Sequence, residues 1–389
     1  MSVNTMGFEQ AATLLNSLNS QATGRAAITP TNTSEFVSLA QTTLQAGYDP
    51  VLNAISQMVT RTIFSVRPYD RKFAGIQVDN QKFGAITRKL NIADKDFEND
   101  VSFQLVDGQS VDHFIVNKPN VLQTNFYGAN VFEKSYTIFK DQLDNAFTGP
   151  EQFGEFMSMV TQNASDMVEQ SHENLARATI ANFIGGKVAG DANSVIHLLS
   201  LFNGETGQTL TKAQALAPAN YKAFMQWVYA KVASICALMT ERSNKYQINV
   251  TGKPVMRHTP YANQNVFMFA PDRYGIEARV LADTFHDNYL KYADVETVNY
   301  WQSIETPDRV SVTPSYIDNT GKVVTGSAAV IDDLFGVIFD DDTLGYTVVN
   351  QWSAMTPLNA KGGYWNMFLH YTDRYWTDYT EKGVVLLLD

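Results

Sequence analysis

From Gly149-Pro150-Glu151 onward, Phe153, Phe156, Val160, Ala164, Met167, Ser171, Leu175 and Ala178 recur at steps of three and four until Gly185-Gly186. About 34 residues at 1.5 Å each predict a helical rod of roughly 50 Å. Few compact domains use a helix that long, whereas a spine along a flat subunit does. Phe153, Phe156, Val160, Met167 and Leu175 are its expected packing stripe. His172 and Glu173 in "HENLA" are expected on its solvated side, and Ala176 stands where a zinc-protease helix needs its second histidine.

Residues 1–60 carry four charged side chains, Glu9, Arg25, Glu35 and Asp49, against 25 Ser, Thr, Asn or Gln. Disordered tails are commonly more charged, so this segment is expected to be an arm ordered by lying on something. Helical stretches are expected around Ala11 to Leu18, from an N-cap at Ser34 with Phe36, Leu39 and Thr43 in phase, and from Pro50 to about Arg61. Beyond it the period changes to two. Ile86, Leu90 and Ile92 alternate with polar residues, then Val101, Phe103 and Leu105 do the same, which predicts a long hairpin. Its tip holds Asp94, Lys95, Asp96, Glu98 and Asp100; calcium is one reading of these carboxylates, an exposed charged turn the simpler one.

Residues 190–330 read as a separate α/β unit. A helix from Asn220 to Thr240 is expected to bury Phe224, Trp227, Val228, Val232, Ile235 and Met239, with Cys236 beside them. Val266 to Phe269 reads as a strand, Asp272 as the cap of a helix through Phe285, and Asn319-Thr320-Gly321 as a hairpin turn. From Ile331 the chain returns to strands. Tyr364, Asn366, Phe368 and His370 alternate, and the apolar run Val384 to Leu388 predicts a buried strand in a sheet covered by the spine.

Dedicated chemistry is hard to find. No GxxxxGK[ST], GxGxxG or GxSxG occurs, and His113, His172, His197, His258, His286 and His370 lack i, i+4 pairing. Asp332, Asp333, Asp340, Asp341 and Asp342 near aromatic strands, with Tyr371, Tyr375, Trp376 and Tyr379, suit a sugar-cleaving or sugar-binding platform, but an exposed turn and core packing explain them more simply. A net charge of −11 opposes a grip on phosphate backbones. One cysteine makes neither an internal disulfide nor a zinc knuckle. The opening "MSVNTMGFEQ" has no signal-peptide pattern, and no apolar run of the length of a membrane span is expected. No catalytic, metal or cofactor residue is assigned.

The order of parts, sharpest in "LADTFHDNYLKYADVETVNYWQSIE" and "NQWSAMTPLNAKGGYWNMFLHYTDRYWTDYTEKGVVLLLD", resembles the major capsid protein of tailed bacteriophages. The resemblance implies an α+β Hong Kong 97-like fold. Its parts would be an N-terminal arm (1–69), an extended β-hairpin loop (70–125), a peripheral domain with the spine helix (126–189), an α/β axial domain (190–330) and a return into the peripheral sheet (331–389). It further implies a homo-oligomer of pentamers and hexamers around double-stranded DNA held without sequence-specific binding. A separate scaffolding protein, a portal at one vertex and assembly in the host cytoplasm belong to the same expectation, and no membrane does. The arm, through Phe36 and Leu39, and the ribbon, through Ile86, Leu90, Ile92, Asp94, Lys95, Asp96, Glu98, Asp100, Val101, Phe103 and Leu105, are the expected contacts between copies. A tail component of a phage is the other structural reading.

Overall fold

The computed structural model describes residues 7–25, 28–61, 73–78, 86–94, 107–108, 110, 114, 116, 118–128, 130–276 and 295–389. Helices α1 (Phe8–Thr23), α2 (Thr33–Gln45) and α3 (Tyr48–Arg61) precede a ribbon of β1 (Ile86–Ile92) and β2 (Val121–Tyr127). Strand β3 (Asn130–Phe139), α4 (Lys140–Ala146) and the 41-residue α5 (Pro150–Gly190) follow. Next come β4 (Val195–His197), α6 (Leu198–Thr206), α7 (Lys212–Ala215), α8 (Pro218–Thr240), β5 (Gln264–Phe269), α9 (Ala270–Ile276) and β6 (Val295–Val298). The remaining strands are β7 (Val310–Val312), β8 (Ser315–Ile317), β9 (Val323–Thr325), β10 (Ala329–Ile331), β11 (Leu334–Asp340), β12 (Leu344–Met355), β13 (Tyr364–Thr377) and β14 (Gly383–Leu387).

The chain divides into two units. One comprises residues 1–84, 128–175 and 347–374; the other comprises 85–127, 176–346 and 375–389. Helix α5 belongs to the first up to Leu175 and to the second from Ala176. Of the C-terminal segment, residues 331–346 and 375–389 group with 190–330, and 347–374 group with the N-terminal helices.

In the first unit, Ala11, Leu15, Phe36 and Ile55 of α1–α3 share one core with Phe153 and Met157 of α5 and with Trp365 of β13. The Phe36 ring is fully buried and meets Phe153 edge-on at 5.8 Å, while Leu39 packs half-buried beside it. The buried faces of α1–α3 are thus covered by their own chain. The cap of α2 is Asn32, whose side chain accepts the Glu35 N–H at 2.9 Å, and Ser34 lies inside the helix. Trp365 donates its indole N–H to Asp49 Oδ1 at 2.9 Å, which fixes the start of α3.

Strand β13 lies between β12 and β3. It turns Trp365, Met367, Leu369 and Tyr371 inward, leaving Tyr364, Asn366, Phe368 and His370 on the opposite, half-exposed face. On α5, Phe153, Phe156, Val160, Ala164 and Leu175 are buried and Met167 is half-buried. His172 and Glu173 are also buried, contrary to expectation. His172 sets its ring edge-on to Tyr371 and its Nε2 3.7 Å from Asp373 Oδ1, so the polar pair is packed against β13. Ala178 is exposed, because 3.6 residues per turn rotates the stripe onto Ala176, Ile180 and Phe183.

The second unit is built on a five-stranded sheet of order β4-β14-β11-β5-β6. Strand β14 is buried at every residue, antiparallel to β11 and parallel to β4. Phe183 of α5 stacks on Tyr379 at 6.2 Å and faces Phe339 of β11, so α5 covers one face. Helix α8 covers core with Phe224, Val228, Val232, Ile235, Cys236 and Met239, and Trp227 is half-buried beside them. Among the described residues α8 alone is long and apolar enough to cross a membrane, where no run of that length was expected; its apolar surface serves the unit's own core. Asp272 lies within α9 rather than capping it, and the rest of that expected helix falls outside the described residues.

Candidate functional site

Among the described residues, the strand that pairs with β1 is β2. Residues 86–92 pair antiparallel with 121–127, Ile86 opposite Tyr127 and Ile92 opposite Val121. "VLQTNFY" provides the alternation that the pairing needs, with Leu122 and Thr124 buried. Lys95, Asp96, Glu98, Asp100, Val101, Phe103 and Leu105 lie outside the described residues.

The two faces of this ribbon are reversed relative to an ordinary surface hairpin. Lys89 and Asn91 face the body of the second unit together with Leu122 and Thr124, whereas Leu90 and Ile92 point outward and are 65% and 68% exposed. Val121, opposite Ile92, is exposed with them. Half-buried β-ribbons normally keep the apolar set inside. An outward row of Leu, Ile and Val is the pattern of a surface awaiting a partner.

What holds the polar face is a cluster of charge. Lys89 Nζ lies 2.5 Å from Glu381 Oε1, 3.3 Å from Asp378 Oδ2 and 3.6 Å from Asp342 Oδ2. Arg257 Nη1 meets Glu381 Oε1 at 2.7 Å and also donates to Asn91 Oδ1 at 3.2 Å. Burial pushes the Glu381 carboxyl above its ordinary range, against Lys89 and Arg257, which pull it down. Burial works against the Lys89 ammonium, but Asp378 and Glu381 outweigh it and raise its pKa. Further along, Asp94 pairs with Arg242 and accepts the Met256 N–H, while its own N–H donates to Pro254 O at 2.7 Å. Asn120 donates to Gly252 O at 2.7 Å, and Lys253 Nζ to Val121 O at 2.9 Å. Asp94 is thus an anchor rather than part of a solvated turn, and the described ribbon is strapped to its own chain.

Sequence reasoning missed Asp378, Glu381 and Arg257. The available signal was "DYTEKG", a set of charges directly ahead of an apolar strand, where burial forces them to pair. The sugar platform does not form: Tyr371 and Tyr379 are buried, Trp376 lies against Gly345, and Tyr375 is exposed apart from them. Among the aspartates, Asp340 accepts from Thr259 at 2.7 Å and Asp341 from Asn265 at 2.6 Å, so the turn is tied at its base.

Asp272 carries a pH prediction. Burial pushes its carboxyl up to about 6, against Lys212, with Asp308 and Asp333 adding to the rise. A folded pKa above the unfolded one means that its contribution is fully present below the unfolded pKa and is lost as pH rises through about 6. Asp272→Asn is therefore expected to melt higher than the parent at pH 7.5, by about 1–3 kcal/mol of stability. Near pH 4 the two should melt alike, which melts at both values will check.

Two solved structures place the fold. A chain in the capsid structure of Staphylococcus phage Andhra is 11% identical with a TM-score of 0.55, covering 85% of this chain and 87% of that one. A chain in the structure of the head fiber and inner core protein of bacteriophage P68 is 11% identical with a TM-score of 0.57, over 85% of this chain and 87% of that one. A search of curated proteins finds no match. The mixed helix-and-sheet architecture is that of phage capsid proteins, and the Hong Kong 97 fold fits it. A model of the Phi29-like phage major capsid protein matches residues 12–386, and the chain belongs to that family. It is a structural protein of the icosahedral head shell, a component of the virion.

Proposed function

We propose that the chain is the repeating subunit that forms the pentamers and hexamers of the head. The second unit, containing residues 190–330, would serve as the axial lobe, and the first unit as the peripheral part. The observation that carries this reading is the ribbon's outward row of Leu90, Ile92 and Val121, held rigidly while its polar face is spent on its own chain. A row of that kind gains burial when a second copy lies against it, and closed symmetry repeats the gain at every subunit.

The net charge of −11 supports a wall that encloses double-stranded DNA without sequence-specific binding. Assembly takes place in the host bacterial cytoplasm, with a separate scaffolding protein and a portal at one vertex. Expression with and without a scaffolding protein, followed by negative-stain microscopy, tests the reading. Closed polyhedral shells from the parent, and their loss in a Leu90→Glu, Ile92→Glu variant that remains folded, are expected; a parent chain that stays monomeric under both conditions overturns it.

A further inference from the structure

The second unit carries a cavity of about 710 Å³ at the β4 edge of its sheet. One wall is apolar, from Ile196 of β4 and Ile235 and Leu238 of α8; the other is polar, from Lys245 and Gln247. The polar wall is preformed. Tyr246 holds a left-handed φ of 69°, and its carbonyl accepts from Lys187 Nζ at 3.0 Å and Gly383 N–H at 2.8 Å. Gln247 donates to Asn249 Oδ1 and Val255 O, which leaves its buried Oε1 without a hydrogen-bond partner among the described residues. Leu238 is 42% exposed at this site.

A complementary knob lies at one end of the same sheet's strands, where the chain is tied to Leu334. The chain leaving β6 turns at Ile304, which is 76% exposed, and Glu305 follows it, also exposed and with no ion pair among the described residues. The turn is rigid at its root: Trp301 is buried, donates its indole N–H to Leu334 O at 3.0 Å, and joins Pro307 O through its backbone N–H at 2.9 Å. Tyr300 beside it is stacked under the Arg177 guanidinium at 3.7 Å.

The knob is tied to Leu334 at the start of β11, and Tyr246 of the cavity to Gly383, which pairs with Phe339 near the other end of β11. At about 3.4 Å per residue those ends are roughly 17 Å apart, so one lobe presents both halves of a head-to-tail contact. A heterologous contact of this kind closes into a ring when the rotation between copies divides a full turn. Resting on the subunit reading above, we propose that Ile304 and Glu305 of one copy seat in the cavity of the next, Ile304 against Leu238 and Ile196 and Glu305 against Lys245. Preorganisation on both sides lowers the ordering cost of the contact.

The test is an Ile304→Cys, Leu238→Cys pair in assembled shells. Cys236 is buried and its thiol is pushed up to about 12, so it stays silent. Oxidation is expected to give a non-reducing ladder that ends at closed rings. In parallel, Glu305→Lys and Lys245→Glu should each lower shell yield about tenfold, and the double exchange should restore it. Normal shells without a ladder, although each single cysteine reacts with maleimide, overturn the contact and leave the subunit reading intact; so do charge reversals that leave yield unchanged. A parent chain that forms no shells overturns both.

Discussion

Trp365→Ala is expected to loosen the three N-terminal helices while the second unit stays protected. The indole is buried, packs at 5.7 Å against the Tyr48 ring and donates to Asp49 Oδ1. Truncation leaves a cavity and removes the donor from a carboxylate at the start of α3. Large aromatic-to-alanine changes in cores cost about 3–5 kcal/mol, and that loss falls on one unit. Hydrogen exchange is the direct measurement: residues 8–61 should exchange much faster in the variant, and residues 264–269 and 383–387 at the parent rate. Unchanged protection of 8–61 would mean that the arm is held by something other than this core.

Lys89→Met should have the second large effect, and it should depend on pH. Removing the ammonium leaves Asp342, Asp378 and Glu381 around Arg257 as the remaining cation of the cluster. Breaking a buried pair costs about 3–5 kcal/mol; Lys89 keeps some solvent access, so about 2–3 kcal/mol is expected at pH 7.5. The sign follows from the shifts. Lys89 has a raised folded pKa, so its contribution persists through neutral pH and is lost only as pH rises through that pKa. Glu381, also raised, is easier to protonate in the fold, and its protonation relieves the variant of one uncompensated charge. The deficit should therefore shrink toward pH 4.5, a trend that urea midpoints across the range will show. A deficit independent of pH would assign the effect to packing.

The spine was legible because a 3.6-residue period sustained over many turns fits neither a strand nor a loop. Its end was not. Gly185-Gly186 reads as a terminator, yet α5 continues to Gly190, and a Cβ on Gly186 would collide with the Tyr379 ring. Glycine there permits close approach rather than chain reversal. Period-two alternation located β1 but did not single out β2, since Val101, Phe103 and Leu105 alternate as well as Leu122, Thr124 and Phe126 do. Register is a long-range choice that local pattern leaves open. His172 was placed in solvent because charge was weighed above helical phase; its position beside Tyr371 and Asp373 follows from tertiary contacts alone. The arm's polar composition hid its fold for a related reason: Ala11, Leu15, Phe36 and Ile55 are few, but each is fully buried.

The placement of β14 between β4 and β11 ties the lobe to the order of synthesis. A ribosome must pass Leu387 before that sheet can close, so a chain interrupted upstream presents an open gap between Val195 and Val337 where Val385 belongs. Incomplete chains then lack the finished lobe on which the proposed ring contacts depend. Translation itself would thus screen which molecules are admitted to a growing particle.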